Sequence, residues 1–286
     1  MSPLLTGQAS TQNTELDNPV INLNLGDDFF KILQKVAKKI HRLGIKIDIF
    51  KDLEKEFLEL TQITFKELLK GVDKGFKNAV IDNEPNQAML DNLKNDAHIF
   101  SGFKSYQQLH QATRLLLDSN DKIKPFGIFL EDIRAMNSSY NSAYLKAEYN
   151  FAIASSQEAA FWADVIQDKD LYDLEFVTAG DDRVRSSHAR LHGIVRPVDD
   201  PFWDKYSTPL DFGCRCTRRK RRKGEVKITD LSKIKLPGKD EIPEAFMVNT
   251  AKEGVVFPKK HPYYTENEAR KASERIIKTI NQTPDE

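Results

Sequence analysis

Large apolar residues recur at intervals of three and four near the start of the chain, with lysines between them, which is the pattern of amphipathic helices. The first stripe consists of Phe29, Leu33, Val36, Ile40 and Leu43. After Gly44 the pattern resumes with Phe50, Leu53, Phe57 and Leu60. We therefore predict that amphipathic helices packed on one another begin at residue 27.

The most informative helical stretch lies between Gly127 and Gly180, because residues 128–179 contain neither glycine nor proline. Its apolar positions alternate strictly by three and four: Ile133, Met136, Tyr140, Tyr144, Ala147, Phe151 and Ala154, with Phe161 and Val165 continuing the stripe. This spacing predicts a spine helix over about residues 131–167, roughly 55 Å long. Aromatic residues at helical spacing are usually core, so we assign the stripe to the core.

Beyond residue 170 the pattern changes to short apolar runs separated by Pro, Gly and Asp-Asp turns. Residues 174–178, 194–196 and 255–257 each predict a strand, and residues 266–280 predict a final helix. The predicted fold class is α+β, with a mostly helical domain followed by a small, loop-rich α+β domain. The predicted boundaries are a polar arm at 1–26, the helical domain at 27–170, the small domain at 171–262, and a helix and tail at 263–286.

Composition limits the possible functions. The 43 Lys and Arg residues balance the 43 Asp and Glu residues, so the whole molecule is not a polycation built for nucleic acid. We expect no membrane-spanning helix, because no stretch approaches the roughly 20 apolar residues that such a helix needs. We also expect no signal peptide, and two cysteines cannot form a disulfide framework, so folding in a reducing cytoplasm fits best.

Four potential metal ligands fall in the small domain: His188, His192, Cys214 and Cys216. The two histidines are four positions apart, so they would share one face of a short helix. Two imidazoles and two thiolates form a closed tetrahedral set suited to structural zinc. The alternative is a pair of small buried thiols beside two surface imidazoles, and a disulfide between the two cysteines would be strained.

Catalytic interpretations have less support, and we predict that the chain is not an enzyme. The zinc-protease motif needs Glu directly after its first histidine, whereas this chain has Ala189 there. A closed four-ligand site also leaves no position for a reactive water. No flanking feature supports a nucleophilic pair of Cys214 and His188.

A basic run follows the cysteines, and seven of its nine residues are cationic: Arg215, Arg218, Arg219, Lys220, Arg221, Arg222 and Lys223. Such a run predicts sequence-independent, salt-sensitive binding of nucleic acid phosphates. It is equally compatible with a solvated loop or with an acidic partner protein. No aromatic residue is interleaved, so stacking on single-stranded bases is not expected.

Several segments of the small domain together resemble the Mu F-like head-morphogenesis family of tailed phages. They comprise residues 176–185, His188, Leu191, Gly193, residues 197–203, Pro209, residues 212–216 and residues 261–263. Residues 100–104 and 148–150 resemble the helical region of that family. The family commonly has Asp-Gly or Asn-Gly where this chain has His192-Gly193, so the resemblance supports His188, Cys214 and Cys216 more than His192. Within these segments we assign structural roles to Asp182, Arg183, Arg185, Gly193 and Trp203, and we expect Asp182 and Arg185 to orient loops through charge-assisted hydrogen bonds.

The resemblance implies a non-catalytic minor head protein, made in the host cytoplasm and placed in the virion at the portal vertex or the inner head surface. The implied partners are the portal protein and other head proteins, with double-stranded DNA as a possible contact and no membrane. Two alternatives remain open, namely a metal- or cysteine-dependent enzyme acting during infection and a DNA-binding internal virion protein.

Overall fold

The computed structural model describes residues 24–79 and 87–265. Most of the predicted polar arm and the predicted final helix therefore lie outside the described residues. The predicted α+β class is confirmed, because a mostly helical first part is joined to a three-stranded antiparallel sheet.

Four helices come first: α1 (Asn24–Leu43), α2 (Ile49–Asp52), α3 (Glu54–Ala79) and α4 (Gln87–Arg114). The predicted apolar stripe of α1 is buried as far as Ile40, whereas Leu43 is 40% exposed at the end of the helix. Asp48 begins α2, because its carboxylate accepts the backbone N–H groups of Phe50 and Lys51. The helical character of this region therefore follows from its apolar periodicity and its local capping.

The predicted spine helix is confirmed and runs without a break from residue 126 to residue 165. It consists of α5 (Phe126–Ser138), a π-helical segment (Ser139–Tyr144) and α6 (Leu145–Val165), and the residues at both junctions keep right-handed helical dihedrals. At 1.5 Å per residue its length is about 60 Å.

The π-helical segment changes which residues face the core. A wider turn shifts the helical phase, so the buried row passes through Asn141, Leu145 and Glu148. Tyr144, which the strict three-four alternation assigned to the core, is 49% exposed instead. That part of the core prediction is wrong, because a regular period of 3.6 does not hold across a π-helical turn.

Helices α3 and α6 cross at very close range, and glycine makes this possible. A Cβ atom on Gly75 would lie 2.3 Å from the carbonyl oxygen of Ile153, and one on Gly71 would lie 2.9 Å from that of Tyr149. Small residues, Ala152 and Ser156, occupy the facing positions of α6. The spine helix is therefore held by backbone contact as well as by apolar side chains.

The sheet contains β1 (Tyr172–Val177), β2 (Val195–Pro197) and β3 (Thr217–Arg222) in the order β2-β1-β3, with both pairs antiparallel. The basic run therefore includes an edge strand. The strand predicted at 255–257 is wrong: the backbone N–H groups of Val256 and Phe257 donate to the half-buried carboxylate of Asp96 in α4, and no strand forms there.

Three short helices, α7 (Ser186–Ala189), α8 (Phe202–Lys205) and α9 (Thr250–Glu253), connect the rest of the small region. Its buried side chains join those of the helices in one apolar core, and Phe257 stacks on Phe100 of α4 at a centroid distance of 3.6 Å. Core contacts therefore cross the predicted boundary at residue 170. Within the described residues, no helix is both long enough and apolar enough to span a membrane.

Candidate metal centre

Three of the four predicted ligands meet at one point. His188 lies in α7, and Cys214 and Cys216 lie in the turn that leads into β3. The Nδ1 atom of His188 is 3.8 Å from the sulfur of Cys214 and 3.7 Å from that of Cys216. The three ligand atoms all lie within 4.8 Å of one another, and both cysteines are free thiols.

His192 does not join this group. Its Nδ1 atom accepts the backbone N–H of Thr178 at 3.1 Å and lies 3.0 Å from the hydroxyl of the same residue. The physical reason is that α7 ends at Ala189, so the expected four-residue helical repeat does not extend to position 192. Within the ranges 24–79 and 87–265, no other His, Cys, Asp or Glu completes a fourth position.

The two thiols influence each other strongly. A hydrogen bond from Cys216 lowers the pKa of Cys214 to about 4, and bonds from His188 and from the backbone N–H groups of Leu210 and Cys216 act in the same direction against burial. The neighbouring Cys214 sulfur and burial both raise the pKa of Cys216. The cluster therefore favours one negative charge shared between two sulfurs.

Two arginines tie together the loops that flank the cluster. Arg215 forms a bidentate pair with Asp181, with both N···O distances at 2.6 Å. Arg185 donates to the carbonyl oxygen of Phe212 at 3.0 Å and lies 3.2 Å from the carboxylate of Asp211. Arg185 thus contacts the loop that carries Cys214, and the carboxylate that pairs with Arg215 is that of Asp181, not that of Asp182. Arg215 supports the site from within the basic run.

The other three residues predicted to have structural roles differ in burial and in their contacts. Gly193 adopts a φ of +78°, a conformation that favours glycine, and its N–H donates to the carbonyl of Phe176. Trp203 is fully buried, and its indole N–H donates to the carbonyl of Pro197 at 2.9 Å. Arg183 is exposed and lies 3.6 Å from Asp181.

The alternation of β3 divides the basic run between two faces. On the face toward α6, Arg218 is buried with its side chain 1% exposed, and its guanidinium pairs with Glu158 and donates to Ser207 at 2.8 Å. Lys220, on the same face, pairs with Asp164. The guanidinium of Arg218 therefore faces the interior and not a phosphate.

The opposite face of β3 carries Arg219 and Arg221, and both interact with Glu175 of β1. Arg221 donates to that carboxylate at 2.7 Å, and Arg219 lies 3.7 Å from it. Arg222 and Lys223, at the end of the run, are exposed. Much of the positive charge in the run is thus matched by carboxylates of this chain.

Sequence reasoning missed a second polar cluster, centred on the buried pair of Lys104 and Glu148. Lys104 also donates to the carbonyl of Tyr140 in the π-helical segment at 2.8 Å, and Tyr263 hydrogen-bonds to Glu148. His261 lies beside this group, with its ring 4.6 Å from that of Tyr263. A signal was present, because residues 100–104, 148–150 and 261–263 all carry the family resemblance, and the structure brings them together.

The fold and site define an α+β region with a His-Cys-Cys cluster beside a three-stranded sheet. Residues 122–219 match the family described as Phage Mu protein F like protein, and this span contains all three cluster residues. A 75-residue segment is 33% identical to the Mu-like prophage FluMu F protein of Haemophilus influenzae, and a 72-residue segment is 36% identical to the putative capsid assembly protein F of Escherichia phage Mu. The chain therefore contains a Mu F-like region, and the family prediction is confirmed.

These matches cover 26% and 25% of the chain but only 15% and 16% of the two relatives. The chain thus spans about a sixth of the curated relatives that it matches. The match to the family begins within the helical part and ends at Arg219, whereas the sequence predicted the unit at 171–262. No solved structure matches the chain.

Proposed function

We propose that this chain is a minor head protein of a tailed phage and acts in head assembly within the virion, without catalysing a reaction. The observation that carries the proposal is the match of residues 122–219 to the Mu F-like family, one of whose members is named a putative capsid assembly protein. The long helix packed on α3 gives the chain a rigid scaffold, as a structural component requires.

The partner that we propose is the portal protein, contacted through the helical part near the portal vertex or the inner head surface. Exposed apolar side chains support this choice of surface. Ile45 is 73% exposed, Ile128 is 57% exposed, and the 51% exposed side chain of Ile123 lies against Gly44. Exposed apolar groups at the ends of helices are available to pack on another protein.

Co-purification with the cognate portal protein tests this proposal. We expect the full chain to form a complex with the portal, and the combined substitution Ile45→Asp, Ile123→Asp and Ile128→Asp to abolish it. Leu171→Asp is the matched control, because Leu171 is 61% exposed at the start of the sheet region. A wild-type chain that never binds portal, or a triple variant that binds as well as the control, would contradict portal docking.

Double-stranded DNA is the second partner that we propose, as expected for a protein of the inner head surface. The observation in its favour is the exposed end of β3, where Arg222 and Lys223 extend beyond the internally paired cations. We expect salt-sensitive duplex binding that is the same for every sequence. Replacing Arg222 and Lys223 with Gln should flatten the salt dependence by about 0.9 in log–log slope for each DNA phosphate that is no longer neutralised. If the chain shows no salt-sensitive binding to duplex DNA, the DNA proposal is contradicted and the basic run has only a structural role.

A metal- or cysteine-dependent enzyme acting during infection is the second candidate function. The observation in its favour is that three ligands meet where four were expected, because a three-ligand site has room for a reactive water. Hydrolysis of peptidoglycan or DNA by the purified chain, abolished by Cys214→Ala, would replace the assembly proposal. If the wild-type chain and Cys214→Ala both hydrolyse these substrates only at the uncatalysed rate, the result would support assembly without catalysis.

A further inference from the structure

We propose that His188, Cys214 and Cys216 bind one zinc ion through the imidazole Nδ1 and the two sulfurs, with the fourth position open to water or a small exogenous ligand. This inference is independent of the assembly role. It corrects the closed four-ligand site expected from the sequence, because His192 lies elsewhere.

The distances from the His188 nitrogen to the two sulfurs match two edges of a zinc tetrahedron. Zinc binds sulfur at about 2.3 Å and histidine nitrogen at about 2.0–2.1 Å, so a tetrahedral site has N···S edges of about 3.6 Å. The two observed N···S distances are 3.8 and 3.7 Å. A zinc ion could therefore bind with little movement of these residues.

The chemistry of the donors selects the metal. Two thiolates and one imidazole form a soft donor set that suits zinc and disfavours magnesium or calcium, which require oxygen ligands. His188 is 3% exposed, so its ring is held by packing, whereas both cysteines are half-buried and leave a path for the ion.

Side chains of this protein join the loops that flank the three ligands. The bidentate pair of Arg215 with Asp181 joins the loop before α7 to the cysteine turn, and the bond from Arg185 to the carbonyl of Phe212 joins them a second time. A preformed pocket loses little conformational freedom on binding, which favours tight binding. The open position follows from the ligand count, since zinc prefers four ligands and this part of the chain provides three.

Elemental analysis of the purified full chain tests zinc binding directly. We expect about one zinc per chain in the wild type and nearly none in His188→Gln, Cys214→Ser or Cys216→Ser. His192→Gln is the matched control, because it changes the neighbouring histidine, and it should keep the full zinc content. Wild-type protein purified without chelators that contains no zinc and takes none up would overturn the proposal, as would loss of zinc from His192→Gln. An intact mass lighter by two hydrogens, which indicates a Cys214–Cys216 disulfide, would also overturn it.

Cobalt substitution of the wild-type chain keeps the proposal testable if the ligand variants fail to fold. Two thiolate ligands predict sulfur-to-cobalt charge-transfer bands in the near ultraviolet together with strong visible bands of tetrahedral geometry. Added imidazole should shift the visible bands by entering the fourth position. A spectrum without thiolate bands would overturn the metal site, and a tetrahedral spectrum that imidazole leaves unchanged would overturn the open position.

Discussion

The ammonium group of Lys104 and the carboxylate of Glu148 form an ion pair enclosed between α4 and α6, with side chains 0% and 3% exposed. Lys104 also donates to the carbonyl of Tyr140, and Glu148 accepts a hydrogen bond from the hydroxyl of Tyr263. A buried charge is tolerated only when it is paired in this way. The pair thus joins α4, the π-helical segment and the last described turn of the chain.

Removing one member of this pair should be far more damaging than removing both. Lys104→Met leaves the Glu148 carboxylate buried without its counter-ion, so we expect a loss of about 3–5 kcal/mol in the free energy of unfolding. The double variant Lys104→Met with Glu148→Gln has no uncompensated charge and should recover a large part of that loss. Urea denaturation of both variants measures the difference. The single variant Glu148→Gln, measured in the same way, completes the comparison. A loss in the double variant equal to the sum of the two single losses would show that the two charges do not stabilise each other.

The close crossing of α3 and α6 gives a second prediction. Gly75→Ala places a methyl group 2.3 Å from the carbonyl oxygen of Ile153, so the helices must separate, and we expect a loss of about 1–3 kcal/mol or more. Gly127→Ala is the matched control, because nothing lies within 4 Å of its Cβ position in α5. Alanine should be neutral there or stabilise the helix by up to about 1 kcal/mol. Thermal or urea denaturation measures the stability of both variants. Equal effects of Gly75→Ala and Gly127→Ala would show that α3 and α6 do not cross closely.

The helices could be predicted because their signals are local. The apolar repeat of α1 and the stretch free of glycine and proline at residues 128–179 both depend on nearby positions alone. The π-helical segment could not be predicted, because the amino-acid types at residues 139–144 are equally compatible with a regular α-helix. Its stabilising contact, the bond from Lys104 to the carbonyl of Tyr140, comes from a residue 36 positions away.

The basic strand and the cluster of His188, Cys214 and Cys216 show the same limit of sequence-based prediction. A run such as 217–222 has little intrinsic tendency to form a strand, and it forms one because Glu158, Asp164 and Glu175 neutralise its charges from distant positions. The three true cluster residues were predictable from residue type and from the family resemblance. His192 was added on the assumption of a longer helix than α7, and the length of α7 depends on its surroundings.

Burial along β3 predicts different consequences for two of its arginines. Arg218→Gln leaves Glu158 without its cation inside the protein, so we expect a loss of about 3–5 kcal/mol in the free energy of unfolding. Arg222→Gln changes an exposed side chain at the end of the same strand and should change stability by less than about 0.5 kcal/mol. Equilibrium denaturation measures both. Similar small effects at the two positions would mean that Arg218 is not buried in solution.

The buried His261 gives a pH-dependent prediction. Burial lowers the pKa of its ring to about 4, helped by the charge of Lys104. The folded protein thus binds the proton less tightly than the unfolded chain, in which the pKa is about 6.5. The neutral ring is favoured in the folded state, so the stability that it contributes is complete above about pH 6.5 and is lost as the pH falls toward 4.

His261→Gln should remove this part of the pH dependence. The gap in unfolding free energy between wild type and variant should shrink as the pH falls from 7 to 4, by roughly 3 kcal/mol if the full shift is expressed. The pH profile of the wild type alone is not sufficient, because Asp96 changes stability in the opposite direction. The difference between the profiles of the wild type and His261→Gln removes the contribution of Asp96, which both proteins share. Burial raises the pKa of its carboxyl to about 6, so Asp96 contributes less stability as the pH rises from about 4 to 6. Urea denaturation of both proteins at half-unit pH intervals provides the two profiles. Parallel profiles over this range would show that His261 titrates as an exposed histidine does, and that the last described turn does not pack on the Lys104–Glu148 pair in solution.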